Sequence, residues 1–337
     1  MSYDKEPSKS SLLVKHIGIP DVSNSDISQL NIKNVPSFLQ KAKQNKIPLL
    51  FLRTVAPLLD GLPLQSTLLR YEEQYQRTLD LTKFAATVLE NSETCYTLFK
   101  TVKPFPYVPS DIDVLLLSND DLENVISALK GEGCIVLDRD SYGATMFSQT
   151  HRICIDLTTQ VAVSGIIYVN KELLFDHVSE LDVCGTMVRT LEPPVELLTV
   201  VAHSIFKEQM YTLSDYYSIV MLTQHWEEAS KLAEKLHLKH ALETALRMTQ
   251  TITVNAFGPL NPLTERFKTL GITSASASSC KDIELPKKYE LAPIIVEFLK
   301  KFATDRLALN SLSSATRSLC SPEFYRRIVN HATREKY

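Results

Sequence analysis

Two aspartates one residue apart open an otherwise apolar segment of this chain. The run 109–117 reads Pro-Ser-Asp-Ile-Asp-Val-Leu-Leu-Leu. Successive side chains of a strand point to opposite faces, so Asp111 and Asp113 project to one face, roughly 7 Å apart along the strand. Two carboxylates this close repel each other unless a cation lies between them. The pattern therefore predicts a site for a divalent metal ion, Mg²⁺ or Mn²⁺.

A third aspartate lies on a second predicted strand. In the run 152–158, apolar residues alternate on one face and Asp156 occupies the other. If the two strands are neighbours, three carboxylates meet at one place. We expect Asp111, Asp113 and Asp156 to be both the metal ligands and the catalytic residues.

The elements that must position these acids indicate an α+β fold: a small mixed β-sheet core, flanked by N-terminal helices and a C-terminal helical domain. Within the core, the patterns predict strands at 95–101, 111–117, 134–137, 144–148 and 152–158, and a helix at 120–130. We predict a loosely ordered arm (1–30), an N-terminal helical region (31–94), the α/β core (95–190), a helical region that completes the site (191–257), a linker (258–288) and C-terminal helices (289–337).

Composition excludes some classes of protein. The 337 residues include 36 basic and 39 acidic ones, and a net charge of -3 argues against a protein that coats nucleic acid through electrostatics alone. The six cysteines show no zinc-site spacing, so we expect reduced, mostly buried thiols. No apolar run reaches the roughly 18 residues of a membrane span, and the polar N-terminus lacks a signal-peptide core. We expect a cytoplasmic protein with no membrane association.

The acidic strand, the helix after it and the third aspartate on a later strand resemble the nucleotidyltransferase fold of the DNA polymerase beta-like superfamily. The segments 203–208 (His-Ser-Ile-Phe-Lys-Glu) and 211–217 (Tyr-Thr-Leu-Ser-Asp-Tyr-Tyr) look like the helical region that follows the catalytic sheet in prokaryotic nucleotidyltransferases, both stand-alone proteins and abortive-infection type toxins. The strand at 155–157 and its continuation to Tyr168 are also similar. The resemblance covers about residues 95–225.

The resemblance implies two metal ions and an in-line attack on a nucleoside triphosphate, commonly ATP. Asp156 would bind the metal nearer the nucleophile and help to deprotonate an acceptor hydroxyl. Asp111 and Asp113 would bridge to the phosphates. Lys207 and Asp215 would complete the nucleotide site.

One feature of the superfamily is missing from this chain. Most members have a Gly-Ser pair before the acidic strand, in a turn that cradles the phosphates. Here no glycine lies between Gly61 and Gly131. We infer that Lys100, Lys103 and the Ser110 hydroxyl make the phosphate contacts instead.

Several of these residues also have structural interpretations. Thr212 and Asp215 fit a helix capping box. Lys207 fits a solvated helix lysine, and His203 fits a packed histidine better than a general base. Two further aromatic residues, Tyr211 and Tyr216, suit either contacts to the nucleotide or a core.

The leading hypothesis is a metal-dependent transfer of a nucleoside monophosphate to a hydroxyl, with tRNA, a protein or a small molecule open as acceptor and the oligomeric state unassigned. The basic C-terminal helices favour RNA slightly. A catalytically inactive nucleotide- or RNA-binding regulatory protein of the same fold is the first alternative, because Gly-Ser is missing. An Asp-x-Asp glycosyltransferase is the weaker one, since it expects an α/β domain where this chain predicts helices.

Overall fold

A mixed sheet carries the acidic strand and forms the centre of the fold. The structure, a computed structural model, describes residues 7–20, 25–28, 30–140, 142–269 and 282–319. The strands of this sheet are β1 (Tyr96–Leu98), β2 (Asp111–Leu116), β3 (Cys134–Arg139), β4 (Gly143–Ser148), β5 (Ile153–Thr158), β8 (Val178–Val183) and β9 (Thr186–Leu191). Within the described residues they lie in the order β3-β4-β5-β2-β1-β9-β8. The fold is therefore α+β with a mixed sheet, as predicted.

Short elements complete the strands. The hairpin β6 (Val161–Val163) and β7 (Ile166–Val169) follows β5, and β10 (Met210–Tyr211) pairs with β11 (Lys287–Lys288). The helices are α1 (Lys9–Ile17), α2 (Val35–Gln44), α3 (Pro48–Val55), α4 (Leu64–Asn91), α5 (Asp121–Gly131), α6 (Lys171–Phe175), α7 (Pro193–Ala202), α8 (Leu213–Leu222), α9 (Trp226–Lys235), α10 (Lys239–Phe257), α11 (Pro262–Thr269), α12 (Leu291–Thr304) and α13 (Arg306–Leu319).

Helices α4 and α5 cover the face of the sheet opposite the acids. The sequence of α5 places apolar residues at the spacing of one helical face, and it buries all of them: Leu122, Val125, Ile126 and Leu129. They pack with Ile112 and Val114 of β2 in one apolar cluster. Acidic residues in the first turn of α5 and Lys130 in its last turn suit the helix dipole. The apolar half of the acidic strand is anchored in this way.

The other face of the sheet is covered only in part. Leu115 shares its face with Asp111 and Asp113 and is buried in a second cluster, with residues of α7 and α8. This cluster includes fully buried side chains from α1 and α3 as well. The helical region therefore closes over one end of the acidic strand, and the aspartates lie at the other end, half-buried.

Three expectations about organisation differ from the structure. The predicted arm contains helix α1, which buries Leu13 and Val14 against the rest of the protein. The predicted linker contains α11, although its serine-rich run at 274–279 lies outside the described residues. The sheet is larger than predicted, because β8 and β9 form a hairpin whose exposed polar side chains hide the strand pattern. The division into regions stays a prediction.

The cysteines also differ from expectation. Of the four in the described part of the chain, only Cys134 is buried; Cys95 and Cys154 are half-buried and Cys184 is exposed. Cys184 occupies a hairpin turn, with φ 51° followed by φ 85° at Gly185, as two-residue turns between strands require. The other two cysteines of the sequence lie outside the described residues. Among the helices that the structure describes, none combines the length and apolarity needed to cross a bilayer.

Candidate active site

Strands β2 and β5 are parallel neighbours, and this pairing brings the three predicted acids together. Asp113 is the register partner of Asp156, and Asp111 is the partner of Cys154. Strand neighbours lie about 4.8 Å apart, so the acids occupy adjacent positions on one face of the sheet. Strand β4 adds Thr145 opposite Asp156. The prediction that these three carboxylates share one surface is confirmed.

The three carboxylates have different partners. Asp111 Oδ1 accepts a hydrogen bond from Ser110 Oγ at 3.1 Å, and Asp156 Oδ1 accepts one from Thr145 Oγ1 at 2.5 Å. Asp113 Oδ1 instead lies 3.1 Å from the ammonium Nζ of Lys100. Two of the acids thus have neutral donors, and one has a full positive charge beside it.

These partners separate the acids electrostatically. Burial raises the pKa of the Asp111 carboxyl, and the charges of Asp113 and Asp156 raise it further. Burial acts on Asp113 in the same direction, but the positive charges of Lys100 and Lys207 outweigh it and lower the pKa of that carboxyl. Asp111 therefore experiences the repulsion that a bound cation would relieve.

Lys100 is held firmly beside Asp113. Only 8% of its side chain is exposed, and its ammonium also lies 3.2 Å from His203 Nδ1 and 4.4 Å from the centre of the Phe99 ring. Its backbone is left-handed, at φ 62°, and its N–H donates to Glu196 Oε1 at 2.9 Å. A non-glycine residue in this conformation is strained, and such residues cluster at functional sites.

His203 connects Lys100 to Glu208. Helix α7 continues into a π-helical segment, His203–Glu208, in which residues five apart lie on the same side. His203 Nε2 therefore reaches Glu208 Oε1, at 3.2 Å. Burial and the charge of Lys100 lower the pKa of His203 to about 3, so the ring is neutral. An ammonium only donates, so Nδ1 accepts from Lys100 and Nε2–H donates to Glu208.

A second group of charges adjoins the first. Burial lowers the pKa of Lys103, while Glu196 and Asp215 oppose that shift. The Lys103 ammonium lies 5.6 Å from the centre of the Tyr107 ring. Lys103 is therefore surrounded by acidic and aromatic groups beside the first group of charges. Its position is compatible with the predicted phosphate contact.

Asp215 makes the capping box that the sequence suggested. Its Oδ2 accepts from the backbone N–H of Thr212 at 2.8 Å, and Thr212 Oγ1 accepts from its N–H at 3.3 Å. Burial raises the pKa of Asp215. The carboxylate caps α8 and faces Lys103 as well, so the structural interpretation accounts for its hydrogen bonds.

The remaining predicted residues lie at different depths. Lys207 is exposed at the end of the π-helical segment, near enough to Asp113 to affect its pKa. Ser110 is exposed and donates to Asp111. Tyr211 and Tyr216 are fully buried, and their hydroxyls bond to Thr249 and Thr253. Of the two interpretations left open for these tyrosines, the structure shows the core, with Tyr211 on β10 and Tyr216 on α8.

The carboxylate oxygens of this site are ligand atoms of the type that binds a divalent cation. Mg²⁺ and Mn²⁺ prefer carboxylate oxygens, and Asp111 and Asp156 present them from diagonal positions on the neighbouring strands β2 and β5. As the side chains stand, no group of three or more His, Cys, Asp or Glu residues in the described part of the chain has a metal-holding arrangement. Asp113 is engaged by Lys100. The assignment of all three acids to metal ions stays a prediction.

Sequence reasoning missed four residues of the site: Thr145, Glu196, Glu208 and Tyr107. The signal for Thr145 was present, because pairing the strands of the β4–β5 hairpin sets it opposite Asp156. Glu208 lies five residues after His203, a spacing that an α-helix does not bring together. The π-helical segment is what brings Glu208 to His203. Glu196 and Tyr107 reach the site through tertiary packing alone.

Comparison with known proteins points to the same superfamily that the acidic strands resemble. A family model described as an uncharacterised nucleotidyltransferase matches residues 109–253. This stretch contains all three acids, Lys207 and Asp215. The match confirms the resemblance to the nucleotidyltransferase superfamily.

Other comparisons add little. One similar solved structure is the crystal structure of an antigenic nucleotidyltransferase-like protein from Paracoccidioides brasiliensis. It is 11% identical with a TM-score of 0.33, over 50% of this chain and 93% of that chain. A search of the curated proteins found no match.

Proposed function

We propose that this protein is a metal-dependent nucleotidyltransferase that moves a nucleoside monophosphate from a nucleoside triphosphate to a hydroxyl acceptor. The observation that carries the proposal is the register of β2 and β5, which aligns Asp113 with Asp156 and sets Asp111 beside them. The family match over the same residues supports it. Magnesium or manganese, and a cytoplasmic location, are part of the proposal.

The reaction joins the acceptor oxygen to the α-phosphorus and breaks the bond from that phosphorus to the bridging oxygen. Pyrophosphate leaves with the electron pair of the broken bond. The carboxylate of Asp156 takes the acceptor proton at Oδ2, since Oδ1 accepts from Thr145. A divalent ion at the carboxylates would neutralise phosphate charge and make the acceptor hydroxyl more acidic.

The lysines of the site would bind the phosphates. Lys207 is exposed beside Asp113, where an entering triphosphate would meet its ammonium. Lys103 lies near the Tyr107 ring, beside the same group of charges. Together they supply positive charge in a site that lacks a glycine-rich phosphate turn. The acceptor classes stay the three named above.

A titration tests the proposal. We would titrate each nucleoside triphosphate with Mg²⁺ into the wild-type protein and an Asp111→Ala/Asp113→Ala variant, and monitor pyrophosphate release in parallel. Metal-dependent binding that the variant loses, with pyrophosphate released by the wild type, is the expected result. Binding without release would favour the inactive binding protein, and binding by neither would overturn both.

A further inference from the structure

One of the three predicted metal ligands already has a cation beside it. The Lys100 ammonium lies 3.1 Å from Asp113 Oδ1, and the two side chains are only 8% and 20% exposed. Such low exposure limits how far solvent can screen the attraction between them. The protein itself thus neutralises a carboxylate that the superfamily resemblance assigns to a metal.

The surroundings of Lys100 prevent its ammonium from moving away easily. His203 Nδ1 accepts from it, and the face of the Phe99 ring lies below it. The histidine is itself oriented by Glu208. A lysine that merely balanced charge at a surface would have neither a dedicated acceptor nor an aromatic face. The ammonium is therefore a fixed component of the site.

The other two carboxylates are different. Asp111 and Asp156 accept hydrogen bonds from the neutral hydroxyls of Ser110 and Thr145. Neither has a positively charged side chain within salt-bridge distance in the described part of the chain. Their free oxygens are the ones available to a divalent ion.

We propose that this protein uses one divalent metal ion, held by Asp111 and Asp156, and that the Lys100 ammonium takes the place of a second ion at Asp113. The inference rests on the proposed nucleotidyl transfer and specifies its metal requirement. Lys100 supplies a positive charge beside the triphosphate, where two-metal sites use a second ion. His203 and Glu208 are positioning residues for that charge.

Equilibrium dialysis against Mn²⁺ tests the proposal without requiring turnover. Protein and buffer compartments contain the same saturating concentration of α,β-methylene-ATP, so the excess Mn²⁺ on the protein side is the bound ion. We expect one Mn²⁺ per chain for the wild type. Lys100→Met vacates the position beside Asp113 and should bind two. Lys83→Met, which removes a lysine from an exposed pair with Asp80, should still bind one.

A second comparison remains decisive if Lys100→Met does not fold. The double variant Lys100→Met/Asp113→Asn removes both charges of the pair, and its Mn²⁺ affinity should stay within about threefold of wild type. Asp111→Asn should weaken Mn²⁺ binding by about tenfold or more. A tenfold loss in the double variant would overturn the inference.

The outcomes separate the inference from the function on which it rests. Two ions in the wild type would overturn the inference and leave nucleotidyl transfer intact. One ion in a folded Lys100→Met would overturn it as well, because Asp113 would then attract no metal. If the wild type binds neither Mn²⁺ nor nucleotide, the proposed function fails and the inference fails with it.

Discussion

Asp111 and Asp113 stand two residues apart on one face of β2, yet they lie in regions of opposite electrostatic character. Around Asp111, carboxylates face one another and the charges are not compensated; the neighbouring strand positions are Cys154 and then Phe147. Around Asp113, the Lys100 ammonium neutralises the carboxylate, and the neutral His203 ring links that ammonium to Glu208. The first region is arranged to attract a cation, and the second already contains one.

This difference follows from the helical region. The end of α7 and its π-helical continuation reach the sheet beside Asp113, where they bring His203 and Glu208. In the part of the chain that the structure describes, no such element covers β3, β4 and β5 on the acid face, where Ile135 is 42% exposed. Carboxylates that repel one another in an open region indicate a binding site. Charged groups that are paired and buried indicate residues that position other groups. Four changes would break or sharpen this contrast.

The largest effect on activity should come from the region around Asp111, where the carboxylates have no positively charged partner. We expect Asp111→Asn and Asp156→Asn each to lower kcat by a factor on the order of 10² to 10³, because each removes charge stabilisation at the reacting phosphate. Thermal stability should not fall, since a source of repulsion is removed. Steady-state pyrophosphate release and thermal denaturation measure both. Asp138→Asn is the control and should leave kcat unchanged. Asp138 lies opposite Thr145 on β4, as Asp156 does on the other side of that strand.

A change in the region around Asp113 should lower the stability of the folded protein. Lys100→Met leaves Asp113 half-buried without its partner and should lower the free energy of unfolding by about 1–3 kcal/mol, below the full cost of breaking a deeply buried pair because Asp113 is partly hydrated. Urea denaturation gives the value. Lys83→Met breaks an exposed pair and should cost less than about 1 kcal/mol. Equal losses in the two variants would erase the contrast between the regions.

Acid should lower the free energy of unfolding through His203, which lies in the same region. Its pKa is about 3 in the folded protein, against an ordinary value of 6.5 in the unfolded chain. Below pH 6.5 the unfolded chain binds a proton that the folded protein does not, so stability is lost as pH falls. Between pH 7.5 and 5.5 we expect His203 to account for a loss of about 1.4 kcal/mol.

The difference between wild type and His203→Asn in urea denaturation at the two pH values isolates this contribution. Asparagine keeps an acceptor near the Nδ1 position but does not titrate. His240→Asn, at an exposed position, should retain the full wild-type pH dependence. If His203→Asn retains it too, the neutral histidine between Lys100 and Glu208 is not present in solution.

The smallest effect should come from Lys207. It is exposed and in solvent of high dielectric, so Lys207→Met should raise KM for the nucleotide about fivefold and leave kcat nearly unchanged. The difference should shrink in high salt, because exposed charges are screened. Initial rates at low and high ionic strength measure it. A large fall in kcat would move Lys207 into the group that acts on the reacting phosphate.

Local patterns in the sequence predicted the parts of this site that depend on one strand or one helix. Asp111 and Asp113 came from alternation along β2, and the capping box of Asp215 from the spacing Thr212–Asp215. The pairing of β2 with β5 was a guess about neighbours that the structure confirmed. Alternation along a strand says which face a carboxylate occupies, and this is why the acids were found.

The charge beside Asp113 could not be predicted in the same way. Lys100 was chosen as a phosphate ligand, because a lysine before the acidic strand fits that role. Its actual contacts depend on a left-handed backbone and on a π-helical segment a hundred residues away, and neither has a sequence signature. For Tyr211 and Tyr216 the sequence left two interpretations open, and the structure shows the core position.

The central claim is that the α-phosphoryl group, with its nucleoside, is the group transferred. The direct measurement supplies wild type and Asp156→Asn with Mn²⁺ and with ATP or another nucleoside triphosphate labelled at either the α- or the γ-phosphate, in parallel with bulk tRNA and with a protein extract as acceptors. We predict that the α-label alone becomes attached to an acceptor by the wild type, with the γ-label recovered in pyrophosphate. Transfer of the γ-label, or equal transfer by Asp156→Asn, would contradict the claim.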